Sequence, residues 1–300
     1  MNPVDNTPMT ACTLCPRRCG IDRAAGQVGF CGEAAAYRVA RIAPHLWEEP
    51  PISGERGSGT VFFSGCNFRC IFCQNREISR EGRGRTISED ELTDAILGLQ
   101  EQGVHNINLV TPTHYTAPLA SLLEKLKPRL HIPVVWNSGG YESTESLRQL
   151  EGLVDVYLPD FKYLSADLAA AYSAAPDYPQ RATEALLEMY RQTGAYREED
   201  HLAKRGVLIR HLVLPGCRND SIAVLRHVAG LLPPSGIRVS VMRQYTPDFA
   251  MDCPHKNLRR RVTEFEYTSV LEEADRLGLT GFSQGKDAAT KAYTPDFMGD

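Results

Sequence analysis

The sequence predicts an α/β protein, a partial (βα)6 barrel preceded by a small cysteine-rich module. Three observations carry this expectation. From Thr60 onward, short apolar runs alternate with helix-patterned segments, and such alternation implies parallel strands joined by right-handed crossovers. Polar residues collect after every apolar run, whereas connections such as 101–105 and 128–131 look ordinary. Barrel sites sit at the carboxyl ends of strands. Seven of the nine cysteines fall in two tight groups ahead of residue 74.

Composition bounds the rest. A chain of 300 residues with 42% apolar and 23% charged content can bury a sizeable core. A net charge of −4 gives no reason to expect nucleic acid as a partner. The opening residues Met1–Asp5 have no basic or apolar signal-peptide pattern, and no apolar run is long enough for a membrane helix. Cysteine-rich spacing without a secretory signal favours metal over disulfides and a reducing, cytoplasmic setting. We expect three regions: a module and connector over 1–58, the barrel over 59–246, and an extension packed on the barrel over 247–300.

Taken in order, Cys12, Cys15, Cys19 and Cys31 form a C-x2-C-x3-C-x11-C group among several glycines. Four thiolates close either a tetrahedral zinc site or a second iron–sulfur cluster, and spacing alone does not separate the two. Residues 37–58 read as a connector in which Pro50-Pro51 breaks any helix. Within it, Glu48 and Glu49 read first as a solvated pair, with a place facing the active site as the alternative.

Strands are expected at 60–64, 106–110, 132–136, 153–158, 207–213 and 237–242. Helices are expected at 89–101, 116–127, 143–150, 165–174, 180–193, 219–230 and 268–277. Ser88 before Glu89-Asp90-Glu91 is a helix start signal, and Ala182, Ala185, Leu186, Met189 and Tyr190 recur at helical spacing as a core face. The strand-end residues are then Cys66, Cys70 and Cys73 after the first strand, Thr111–Tyr115 after the second and Asn137–Glu142 after the third. Asp160 and Lys162 follow the fourth. Arg210 and His211 lie on the fifth, ahead of Cys217, and Met242–Pro247 follow the sixth.

The C-x3-C-x2-C loop Cys66–Cys73 supplies three thiolates, while a cubane cluster normally takes four. An open coordination position marks a reactive metal site rather than a structural one. This loop resembles the signature of the radical S-adenosylmethionine (SAM) superfamily. The stretch from about Thr60 to Tyr245 is similar to the pyruvate formate-lyase activating enzyme-like group of that superfamily. Within it, the N-terminal cysteines and the loops Asn137–Tyr141 and Val213–Gly216 resemble an uncharacterised subgroup.

The resemblance implies a TIM-like partial barrel of the radical SAM type, with a 4Fe-4S cluster on Cys66, Cys70 and Cys73 and SAM on its open iron. It implies SAM contacts from Phe72, Asn137, Ser138, Asp160, Lys162 and Arg210. After the second strand the family's Gly-Gly-Glu is replaced by Thr111-Pro112-Thr113-His114, so the hydroxyls of Thr111 and Thr113 stand where a carboxylate is usual. The implied activity is reductive cleavage of SAM to a 5′-deoxyadenosyl radical that takes hydrogen from a substrate, as in a glycyl-radical enzyme activase. The implied electron donor is a flavodoxin or ferredoxin, and a protein or peptide substrate can enter an incomplete barrel laterally. The alternatives are a radical SAM peptide maturase with an auxiliary cluster and a non-catalytic iron–sulfur or zinc binding protein. Asp160 with Lys162 also reads as a plain surface ion pair, His114 as a structural hydrogen bond, and Tyr245, Cys217 and Cys253 as core. The tail Tyr293–Phe297 is expected over the barrel mouth.

Overall fold

The computed structural model describes residues 7–285, together with 288 and 297. The chain begins with a helical turn α1 (Thr7–Thr10), strand β1 (Tyr37–His45), a turn of helix α2 (Pro50–Ser53) and strand β2 (Ser58–Phe63). A short α3 (Arg76–Ser79) and β3 (Arg85–Ile87) follow. Then come α4 (Glu89–Glu101), β4 (Ile107–Val110), α5 (Thr116–Leu126), β5 (Val134–Ser138), α6 (Thr144–Arg148), β6 (Val156–Pro159), α7 (Ala166–Ser173) and α8 (Tyr178–Thr193). The chain continues through β7 (Arg197–Glu199), β8 (Leu202–Leu212), α9 (Arg218–Leu231), β9 (Arg238–Met242), α10 (Glu264–Arg276) and β10 (Gly281–Ser283).

The strands form one sheet in the order β10-β9-β8-β6-β5-β4-β2-β1-β3. Every pairing from β2 through β4, β5, β6, β8 and β9 to β10 is parallel. Among the described residues, the ends of the sheet do not pair with each other, so the barrel is incomplete. Each of the six expected strands is present, with ends shifted by a few residues. The three-residue β10 is added at one end, and the antiparallel β1 and β3 at the other.

Local chemistry explains the boundaries. Ser88 caps α4 in a capping box with Glu91, as the sequence suggests. The last long helix starts at Glu264 rather than at 268, because Thr263 and Glu266 form a second capping box. β7 and β8 are joined through Asp200 and His201, both at positive φ, a two-residue hairpin turn that extends β8 backwards from the expected start.

Helices cover the outer face of the sheet. Leu92, Ile96 and Leu99 of α4, Leu119, Leu122 and Leu123 of α5, and Ala182, Ala185, Leu186 and Met189 of α8 all join the main core. Side chains alternate along each strand. Trp136, Tyr157 and Ile209 therefore join the main core, while Val135, Val156, Leu158 and Leu208 form a second cluster with Ile52 of α2.

That placement corrects the connector expected at 37–58. Tyr37–His45 is a nine-residue strand paired to β2. Pro50-Pro51 starts a helical turn, because proline fits the first helical positions where no N–H is needed. Ile52 is fully buried against β5, β6 and β8, and its carbonyl accepts from Asn106 Nδ2 at 2.7 Å. The segment after β1 thus plugs the inside of the barrel. Among the described residues, no helix is long and apolar enough to cross a membrane. The tail expected over the barrel mouth lies outside the described residues except for Phe297, which packs edge-on against Phe62 with ring centroids 5.5 Å apart.

Candidate functional site

A cavity of about 580 Å³ opens at the carboxyl ends of the parallel strands. Cys66, Cys70 and Cys73 line it, together with Phe72, Thr111, Asn137, Ser138, Asp160, Lys162 and Arg210. The topology brings these residues together because each directly follows or ends a neighbouring parallel strand.

The cysteine loop leaves β2 through Gly65. This residue has φ +81°, and a Cβ there would meet Glu33 Cγ at 2.4 Å and the Cys31 carbonyl oxygen at 2.8 Å. Only glycine passes so close to the N-terminal module. The three cysteines are free thiols. Each sulfur has a hydrogen-bonding neighbour: Phe68 N at 3.4 Å from Cys66, the Ser173 hydroxyl at 3.0 Å from Cys70, and the Ser79 hydroxyl at 3.4 Å from Cys73. Burial and then the other two thiols push Cys66 up to about 12. Burial also raises Cys70, opposed by the Lys162 charge. Three thiols on one cavity wall that cannot ionise together without a cation fit a cluster site, larger than a single ion, with one position left open.

A charged network lines the same cavity. Asp160 pairs with Lys162 Nζ and accepts from Arg210 Nε at 3.0 Å. Arg210 also donates to Asn137 Oδ1 at 2.7 Å and reaches Glu48 at 3.4 Å, and Asn137 Nδ2 donates to Glu48 at 3.2 Å. Burial alone would raise Asp160, but Arg210 and Lys162 outweigh it and hold the carboxyl below its usual range. The Asp160–Lys162 pair is mostly buried and doubly connected, so it is not a plain surface pair.

Glu48 and Glu49, read first as solvated, are instead buried in the cavity wall. The reason lies far away in sequence: Arg210 on β8, delivered by the barrel topology, pairs with Glu48 and acts on Glu49 from beyond ion-pairing distance. Burial raises both carboxyls, Glu49 to about 7.

Of the two threonines, Thr111 lines the cavity at a left-handed φ of +56°, backbone that costs free energy for a β-branched residue. Thr113 is corrected: it is buried away from the cavity wall, and its hydroxyl donates to Glu142 at 2.7 Å. His114 is likewise structural. It is buried, its Nε2 bonds the Ser64 carbonyl at 2.8 Å, and burial lowers it to about 3. Tyr245 is both core and cavity wall, its hydroxyl donating to the Leu258 carbonyl. Cys217 and Cys253 are buried in the main core. Residues not foreseen in the wall include Trp47, Ser240 and Phe282, and Gln284 joins them.

Cys12, Cys15 and Cys31 are buried and Cys19 is half-buried. Burial, with a smaller contribution from the other three thiols, pushes Cys15 up to about 12. The module is knotted by Arg23, which is fully buried and donates to the carbonyls of Glu33, Ala34 and His114. It abuts the Cys66–Cys73 loop directly. Cys66 N donates to the Cys31 carbonyl at 3.2 Å, and Arg69 donates to the Phe30 carbonyl while its guanidinium sits 4.2 Å from the Phe30 ring centroid. Among the described residues, no three His, Cys, Asp or Glu side chains converge on a single-ion site.

Residues 60–216 match the family model of the radical SAM superfamily, and the chain belongs to that superfamily. Membership implies a 4Fe-4S cluster and SAM. The chain is 30% identical over 283 residues to the uncharacterized protein MJ0674 of Methanocaldococcus jannaschii, across 89% of this chain and 75% of that protein. Its fold is similar to Streptococcus suis SuiB bound to the precursor peptide SuiA, with a TM-score of 0.52 and 12% identity over 73% of this chain and 46% of that one. For SuiB bound to S-adenosylmethionine the TM-score is 0.51, at 13% identity over 73% and 48% of the two chains. The chain therefore spans about half the length of these SuiB chains.

Proposed function

We propose that the protein is a radical SAM enzyme that abstracts hydrogen from a peptide or protein substrate. The observation that carries this is the joint presence of Cys66, Cys70 and Cys73 with Asp160, Lys162, Arg210 and Asn137 around one cavity. When bound, the reduced cluster and SAM supply reductive sulfonium cleavage and the hydrogen-abstracting power. The chain's own residues do the rest. Cys66, Cys70 and Cys73 hold the cluster. Phe72 and Thr111 wall the SAM space. Lys162, fixed by Asp160, sets a positive charge beside Cys66 and Cys70. Arg210, fixed by Asp160 and Asn137, offers its guanidinium to a carboxylate or a ribose. Phe62, Ile78 and Tyr245 line the apolar wall and exclude water.

Glycyl-radical activation of a partner protein is the form of this reading nearest the sequence motifs. Peptide maturation is the second form, favoured by the likeness to SuiB, a protein solved with a precursor peptide. In either form we place the protein in a reducing cytoplasm, fed by a flavodoxin or ferredoxin. Cys12, Cys15, Cys19 and Cys31 then hold a second cluster or a zinc ion. Anaerobic incubation of the reduced, reconstituted protein with SAM tests the enzyme reading. Formation of 5′-deoxyadenosine supports it, and its absence favours a non-catalytic metal protein. A radical signal on an added partner protein separates activase from maturase.

A further inference from the structure

The charged groups in the cavity wall do not balance. Three carboxylates, Glu48, Glu49 and Asp160, face two cations, Lys162 and Arg210. Asp160 takes both cations, and Glu48 shares Arg210. Glu49 is left over. It is 8% exposed, and its Oε2 is enclosed without a hydrogen-bond partner. Among the described residues, no cationic side chain lies within ion-pairing distance of it. An enclosed carboxylate without a partner is costly, and proteins rarely keep one without a use.

The cofactors do not repair the imbalance. An oxidised cluster on three thiolates carries one net negative charge, and SAM held on an iron through an unprotonated amine is net neutral, so together they add a negative charge rather than a positive one. The two regions of the cavity are also distinct. Lys162 faces the cysteine end. Glu49 faces Arg210, Glu48 and Ser240 of β9, and its backbone holds the N-cap position of the α2 plug while its side chain makes no cap hydrogen bond. The plug fixes this carboxylate rigidly, because Ile52 is fully buried three residues further on.

We propose that Glu49, with Glu48 and Ser240 beside it, forms a substrate subsite that binds a cationic nitrogen group such as a lysine-type ammonium. The inference rests on the radical SAM reading of the cavity. A bound ammonium supplies the missing charge and donates to the carboxylate oxygens, including the one that now has no partner. It also orients the attached chain across the cavity toward the cysteine end, as a hydrogen-abstracting site requires.

The test uses reconstituted holoenzyme saturated with SAM, titrated with n-butylamine or with its neutral counterpart n-butanol while thermal stability is followed. The wild-type protein should take the amine with at least about tenfold lower half-saturation than the alcohol, as expected for a buried charge pair. Glu49→Gln should erase that preference and leave the half-saturation for SAM within about twofold. Equal response of the wild-type protein to amine and alcohol overturns the inference, even if the variant does not fold. A Glu49→Gln variant that loses SAM affinity by a similar tenfold also overturns it, because the carboxylate then serves SAM. A reduced cluster signal indifferent to SAM overturns the parent reading, and this inference with it.

Discussion

The two cysteine groups are neighbours joined by a Cys66–Cys31 backbone hydrogen bond, yet they face different surroundings. Cys66, Cys70 and Cys73 are half-buried and open on a 580 Å³ cavity with Lys162 opposite. Cys12, Cys15, Cys19 and Cys31 are packed in a glycine-rich knot around the buried Arg23 and do not line that cavity. The same residue type thus sits in two different settings. Thiols on a cavity leave room for a further ligand, whereas thiols in a closed knot do not. Direct abutment couples the two groups mechanically through Arg69 and Gly65.

Four substitutions break or sharpen this contrast. Cys70→Ala should have the largest effect, loss of 5′-deoxyadenosine formation by more than about a thousandfold together with loss of the cavity cluster. Iron analysis and product chromatography check it. Lys162→Met comes next. It removes the cation beside Cys66 and Cys70 and leaves Asp160 to Arg210 alone, so SAM cleavage should fall by about ten- to a hundredfold. Metal content at the N-terminal group should not change, and a loss there would blur the distinction between the groups.

Cys15→Ala should remove whatever metal the N-terminal module holds and cost more stability than the roughly 1 kcal/mol of lost packing, because metal-binding free energy is also folding free energy. With a chemical reductant, SAM cleavage should persist within about tenfold. Complete loss would make the module part of the reaction centre.

The smallest effect is a pH dependence at Glu49. Burial holds its carboxyl up to about 7, against about 4.3 in an unfolded chain. The native state therefore keeps the proton more readily than the unfolded chain does. This group favours folding below its unfolded value and loses that contribution as pH rises through about 7. In cofactor-free protein, Glu49→Gln should melt higher than wild type at pH near 8 and lose that advantage near pH 4. Parallel melting curves across that range would contradict the burial of Glu49.

Much of the barrel was legible because its signals are local. Apolar runs, the Ser88 cap and the polar strand ends all lie within a few residues of what they specify. The cysteine loop was legible for the same reason. What escaped depends on distant partners. Glu48 and Glu49 read as solvated because Arg210 sits far along the chain. Tyr37–His45 escaped because a strand with half-exposed residues lacks a clean alternation. β10 is too short to register. The start of α10 was legible in principle through Thr263 and Glu266. Thr113 was misread because adjacency to Thr111 did not reveal that a turn of 3-10 helix rotates it toward Glu142.

The central claim is that the cavity cysteines, and not the N-terminal group, hold the centre that responds to SAM. Electron paramagnetic resonance of the reduced protein, with and without SAM, in wild type, Cys70→Ala and Cys15→Ala tests it most directly. The account predicts a signal changed by SAM in wild type and in Cys15→Ala, with no SAM-responsive signal in Cys70→Ala. A signal indifferent to SAM, or a SAM response that survives Cys70→Ala and vanishes in Cys15→Ala, would contradict it.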